Sequence, residues 1–159
     1  MRSSRHVTWP NGPNGPVFLT IMASRGRPEM SQLSAAPVGP FRAGLGEGPV
    51  WDTAREMLRW IDIRLCRLYE TDPRTGKTAQ HDLPGSPGCA ALTHDGNLLV
   101  AIGQELLVMS EEGRLRPVAS LPGGMPGRFN DGKADASGRF WVGTATDEGH
   151  FDCALWRHD

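Results

Sequence analysis

Lysine, cysteine and long apolar runs are all scarce in this chain. Of its 17 basic residues only two, Lys77 and Lys133, are lysines. The arginine that replaces it, alongside abundant Ala, Gly and Pro, reads as base composition rather than function. Basic and acidic residues nearly cancel, leaving a net charge of −1, so there is no whole-chain basic field and nucleic acid is not expected as a partner. The three cysteines, Cys66, Cys89 and Cys153, are far apart and form no CxxC. That excludes a disulfide frame or a zinc site and predicts buried thiols in a reducing compartment, hence a cytoplasmic location. Near the start the longest apolar stretch, Val17 to Ala23, is seven residues and includes Thr20. It is too short to span a bilayer, so no membrane partner is expected. With Arg2 and Arg5 ahead of it, the stretch reads either as a short signal-peptide core or as an extension upstream of a start at Met22 or Met30.

Helical periodicity is missing too. No window of a dozen residues carries an apolar stripe at helical spacing. Residues 1–40, with Asn11-Gly12-Pro13 and Asn14-Gly15-Pro16, hold Pro and Gly at a density that interrupts helix and sheet alike, and are expected to be disordered or loosely attached. From about Leu45 short β-rich runs take over: residues 48–51, 58–63, 68–71, 78–83, 89–93, 98–102, 106–109, 116–120, 140–144 and 154–157. Asp-Gly, Thr-Gly, Glu-Gly and Ser-Gly steps fill the gaps, the residues hairpin turns need where φ is positive. The fold class is all-β.

The runs repeat. Arg55 to Asp62 aligns with Asp95 to Ile102 and with Ser137 to Thr144, and Leu58, Leu98 and Phe140 stand 40 and 42 residues apart. A period near 40 residues with about four strands per unit is the signature of propeller blades. The 115 residues from Leu45 to Asp159 cover about two to three blades, whereas propellers close with roughly 4 to 8. The expectation is a partial propeller, residues 41–159, belonging to a longer protein.

Two segments carry candidate chemistry. In Leu45-Gly46-Glu47-Gly48-Pro49-Val50-Trp51 the glycines do not satisfy GxGxxG, and no strand-to-helix context surrounds them, so a nucleotide loop is rejected. What remains is a carboxylate, Glu47, between two glycines ahead of a strand. It is open to a bound cation or ligand; otherwise it is a solvated turn residue. In Gly127-Arg128-Phe129-Asn130-Asp131-Gly132-Lys133 an EF-hand loop fails, because Lys133 falls where an oxygen ligand belongs. Strand alternation puts Arg128 and Asn130 on one side and Phe129 on the other. An Arg and an Asn sharing one space suit a polyhydroxylated or carboxylate-bearing ligand, since both offer several directional donors. Asp135-Ala136-Ser137-Gly138 reads as a hairpin turn. There is no GxSxG and no catalytic-cysteine signature.

Taken in order, Gly46-Glu47-Gly48-Pro49-Val50-Trp51, Trp60-Ile61-Asp62-Ile63, Arg128 to Lys133 and Gly138-Arg139-Phe140-Trp141-Val142-Gly143-Thr144 resemble the first portion of the SMP-30/gluconolactonase/LRE-like family, to which regucalcin belongs. The resemblance implies a six-bladed β-propeller with one divalent cation (calcium, zinc, magnesium or manganese) near its central channel, and hydrolysis of a small-molecule sugar lactone. By position, Glu47 matches the family's first metal-binding carboxylate. Arg128 and Asn130 match residues that hold substrate hydroxyls or an ordered water beside the metal. Glu148 falls where the family has a further substrate-contacting acid, with Asp147 the neighbouring alternative. The remaining metal ligands, an Asn and an Asp that also serves as general base, belong to later blades, beyond residue 159. No catalytic base is therefore expected within this chain, and no obligate protein partner is implied. The competing expectation is a non-catalytic calcium- or ligand-binding regulatory propeller.

Overall fold

The computed structural model describes residues 5–8, 18–21, 36–146 and 153–159. The chain divides into two compact units, Met1–Pro37 and Val38–Asp159. In the first, β1 (Arg5–Thr8) and β2 (Phe18–Ile21) pair antiparallel. They lie inside the segment 1–40, and β2 falls within its short apolar stretch.

The second unit is built of three consecutive antiparallel meanders. The first contains β3 (Gly46–Asp52), β4 (Met57–Asp62), β5 (Arg67–Thr71) and β6 (Thr78–Asp82). The second contains β7 (Pro87–Leu92), β8 (Leu98–Ile102), β9 (Glu105–Met109) and β10 (Leu115–Ser120). The third contains β11 (Arg128–Ala134), β12 (Phe140–Ala145) and β13 (Leu155–His158). Among the described residues there is no helix, and so none long and apolar enough to cross a membrane. The first strands of the three sheets lie side by side, β7 contacting both β3 and β11. This is the arrangement of propeller blades, with β3, β7 and β11 innermost.

The repeat seen in the sequence is a repeat of turns. Glu56, Gly96 and Gly138 occupy the same place between the first two strands of each blade, and all three have positive φ (53°, 83° and 81°). Glycine takes this conformation without the Cβ clash that other residues suffer. In the first blade Glu56 adopts it instead, and its carboxylate pairs with Arg74 at 2.9 Å.

Arg128–Ala134 forms a strand of which the alternation of Arg128, Phe129 and Asn130 marks only the start; the segment is not among the ten expected runs, and Asn-Asp-Gly-Lys is turn chemistry by composition. Its backbone nevertheless pairs with β12 from Arg128↔Ala145 to Ala134↔Phe140, and the burial of Phe129 and its neighbours between blades overrides local propensity. The cysteine expectation also needs correction. Only Cys89 is buried; Cys66, in the β4–β5 turn, is half-buried and Cys153 is exposed.

Two packed seams join the blades. Ile61 and Leu68 of the first blade meet Ala90, Leu98, Val100, Ile102, Leu107 and Met109 of the second. On the second blade's other face, Cys89, Ala91, Leu99, Ala101 and Leu106 meet Phe129, Phe140 and Val142 of the third. The second blade is thus buried on both faces, which is why β8 reads as the unbroken apolar run Leu98-Leu99-Val100-Ala101-Ile102.

Candidate functional site

The inner strands enclose a cleft of about 560 Å³. Its walls are Glu47 to Val50 from β3, Cys89 to Leu92 from β7 and Asp131 to Ala134 from β11. Each inner strand is irregular at the end where it enters its blade. Register shifts fall between Glu47 and Val50, between Pro87 and Cys89, and between Phe129 and Gly132. A bulge re-aims side chains and raises local twist, so these shifts break the flat alternation where the functional candidates sit. Glu47 pairs against Ile61. Asn130 and Asp131 stand against Gly143, the counterpart of Ile61 in the repeat. Glu47 and the Asn130–Asp131 step thus fill equivalent places in the first and third blades.

Glu47 is exposed on the cleft wall. No described residue gives it a hydrogen bond or ion pair, so the carboxylate is available to a cation. Its backbone setting is defined by close contacts. Gly48 has φ 57°, and a Cβ on Gly46 would lie 3.0 Å from the Trp60 ring.

Arg128 and Asn130 are brought into contact. Arg128 Nη1 donates to Asn130 Oδ1 at 3.1 Å and to the Phe129 carbonyl at 3.1 Å. A guanidinium has no acceptor, so this bond fixes the amide orientation and leaves Asn130 Nδ2 free to donate to a ligand. Phe129 is buried on the opposite side, 3% exposed, as strand alternation predicts. Neighbouring segments hold the pair from behind. The Phe129 N–H donates to Gly103 O at 2.8 Å, and Gln104 Nε2 donates to Met125 O and Gly127 O, each at 2.9 Å. A Cβ on Gly88 would lie 2.4 Å from Phe129 O and 2.8 Å from Asn130 O, so β7 carries glycine where β11 comes closest. No hydrogen bond or ion pair joins Glu47 to Arg128 or Asn130. Glu148 and Asp147 lie outside the described residues.

The sequence reading overlooked three contributors. Asp131 and Lys133, which follow Arg128 and Asn130 in the same motif, line the cleft. Asp131 faces Cys89, where burial and the nearby carboxylate push the thiol up to about 12, so this cysteine is no nucleophile at neutral pH. The third is Asp62, fully buried at the end of β4 beside the start of β3. Burial works against its charge, but backbone N–H donors from Leu65, Gly44, Leu45 and Arg64 outweigh it and hold the carboxyl below its ordinary value. Its sequence signal is an acid closing β4 within Trp60-Ile61-Asp62-Ile63. Asp135 behaves as the turn residue expected: the Trp141 indole N–H and Arg139 bond its carboxylate and hold it at about 2.

The Glu47 carboxylate is the kind of hard oxygen donor that a divalent cation takes. Among the described residues no group of three or more His, Cys, Asp or Glu side chains is placed to hold one, so the fit rests on Glu47 alone.

The chain is similar to 6-deoxy-6-sulfogluconolactonase of Pseudomonas putida, 39% identical over 102 residues covering 63% of this chain and 35% of that protein. It is similar to pentonolactonase XacC of Haloferax volcanii, 38% identical over 103 residues covering 63% of this chain and 34% of that one. Among solved structures, the calcium-binding protein regucalcin from Agrobacterium tumefaciens superposes with a TM-score of 0.66 at 30% identity, covering 72% of this chain and 40% of its own. The chain spans about a third of the length of these curated relatives. Residues 45–157 match the SMP-30/Gluconolactonase/LRE-like region, and the chain belongs to that family.

Proposed function

We propose that this chain supplies the first blades of a metal-dependent sugar lactonase that hydrolyses aldonolactones. The observation that carries the proposal is the unengaged Glu47 carboxylate on the cleft wall, with the hydrogen-bonded Arg128–Asn130 pair at the equivalent end of β11, just before the residues of that strand that line the cleft. Two relatives named as lactonases support the same reading. Glu47 would hold the cation together with an Asn and an Asp from later blades. When bound, a divalent cation supplies Lewis acidity to a lactone carbonyl. Arg128 Nη2 and Nε have no protein partner among the described residues, so they can donate to ring or carbonyl oxygens. Asn130, fixed by Arg128, orients a hydroxyl beside them. The substrate is a small-molecule lactone.

In a protein extended through the later blades, Glu47→Gln should weaken cation affinity about tenfold or more, because a hard-oxygen site loses a formal charge. Arg128→Ala should leave that affinity nearly intact while lowering turnover about 100-fold, the scale of losing an oriented donor. Calorimetry and an aldonolactone assay with calcium, zinc, magnesium or manganese read the two effects. Unchanged cation affinity in Glu47→Gln would return Glu47 to a turn residue. Residues 1–159 alone should show no metal-stimulated turnover, because Glu47 is the only one of the implied ligands within them. A regulatory, non-catalytic relative would bind the cation yet show no Arg128-dependent turnover.

A further inference from the structure

The three blades enter their inner strands by different means, and only the first uses a buried carboxylate. Asp62 closes β4, and its counterparts in the repeat are Ile102 and Thr144. Ile102 is an apolar residue packed in the first seam, while Thr144 is a short hydroxyl bonded to Ala154 N at 2.8 Å. A blade can therefore close this position without a charge. Burying an unpaired carboxylate is costly, and Asp62 is 0% exposed.

Its bonds point to what the carboxylate does. Oδ2 accepts from Gly44 N at 2.6 Å, and Oδ1 from Leu45 N, Arg64 N and Leu65 N, each at 3.0 Å. Ile63 N donates to Leu45 O at 3.1 Å and closes the same loop. Two donors belong to the turn after β4. The other two belong to the segment running straight into Gly46-Glu47. That segment is pressed onto its neighbours: a Cβ on Gly44 would lie 3.3 Å from Asp62 Oδ1. Glu47 itself is exposed, and no side chain or backbone group among the described residues hydrogen-bonds or pairs with its carboxylate.

We propose that Asp62 is a positioning residue for Glu47: its buried carboxylate clamps the Gly44–Leu45 backbone and so aims the Glu47 carboxylate into the central cleft. The part of this concerning a cation rests on the reading of Glu47 as a ligand; the clamp does not.

The test uses the protein extended through the later blades, with Mn²⁺ as probe, comparing wild type, Glu47→Gln, Asp62→Asn and Asp52→Asn. Asp52 is an equally buried carboxylate at the far end of β3, so its loss controls for general destabilisation. Asp62→Ser, which keeps one accepting oxygen in a smaller side chain, takes the place of Asp62→Asn where that variant does not fold. Two quantities are read by NMR: amide hydrogen exchange at residues 44–48, and paramagnetic broadening of the Glu47–Val50 signals. With Asp62 replaced, exchange at 44–48 should rise at least tenfold, and at least tenfold more Mn²⁺ should be needed for equal broadening. Asp52→Asn should leave both near wild type. Unchanged exchange at 44–48 on replacing Asp62, or an equal rise in Asp52→Asn, overturns the clamp. If exchange rises as expected but Glu47→Gln leaves the broadening where it was, the clamp is supported and the cation reading of Glu47 fails.

Discussion

Between the first and second blades the packed face ends in charge; between the second and third it stays apolar. At the first seam Arg59, 6% exposed, pairs with the buried Asp52 at 3.2 Å and with Glu70. Arg55 reaches from the first blade to Gly96 O at 3.2 Å and to Glu111 on the second. A cleft of about 250 Å³ lies among these groups, and Arg59 Nε is buried without a partner. At the second seam Phe129, Phe140 and Val142 fill the space against Cys89, Ala91 and Ala101, and backbone meets backbone at Gly88. Charge tolerates an imperfect fit but demands pairing. Apolar contact demands close fit and places the neighbouring strand within tenths of an ångström. The strand so placed is β11, which carries Arg128 and Asn130.

The apolar seam depends most on Phe140, whose ring is 3% exposed. Phe140→Ala should cost about 3–5 kcal/mol of stability, through lost transfer energy plus a cavity, read as a fall in the urea midpoint. At the charged seam, Arg59→Met keeps much of the volume but leaves Asp52 with Arg55 alone. The expected cost is about 3 kcal/mol, the low end for removing one partner of a buried ion pair. Moderate salt should change this cost little, because buried pairs are poorly screened; a cost that vanished at high salt would mean that the pair is solvated.

Gly88→Ala probes the apolar seam at its backbone contact. The added methyl meets two backbone oxygens that cannot rotate away, so an overpacking cost of about 1–3 kcal/mol is expected, together with chemical-shift changes centred on Arg128–Asp131. The smallest effect lies outside both seams, on Asp135. Its carboxyl is held at about 2, below its unfolded value. The unfolded chain therefore binds the proton more readily, and the stabilisation is whole above the unfolded pKa and drains as pH falls from about 4 towards about 2. An NMR titration of Asp135 should show that midpoint, and Trp141→Phe, which removes the indole donor, should move it upwards.

Much of this was legible beforehand. Leu98–Ile102 was read with its observed bounds, and the 40-residue spacing of Leu58, Leu98 and Phe140 foretold three sheets with matched turns. Strand-length apolar runs and glycine at positive φ are local, and local constraints are written in consecutive residues. In the RFNDGK segment the alternation of Arg128, Phe129 and Asn130 was legible, yet the extent of the strand to Ala134 was not, since its pairing depends on β12, well beyond any local window. The all-β class, the blade repeat and the family are thus written in consecutive residues. Only the tertiary structure decided that Asp131 and Lys133 line the cleft, that Gly88 is required by the backbone of another blade, and that Asp62 grips the chain ahead of Glu47. The donors to Asp62 at Gly44 and Leu45 lie 18 and 17 residues away, and backbone N–H groups carry no sequence signature. No pattern of side chains could have announced that clamp.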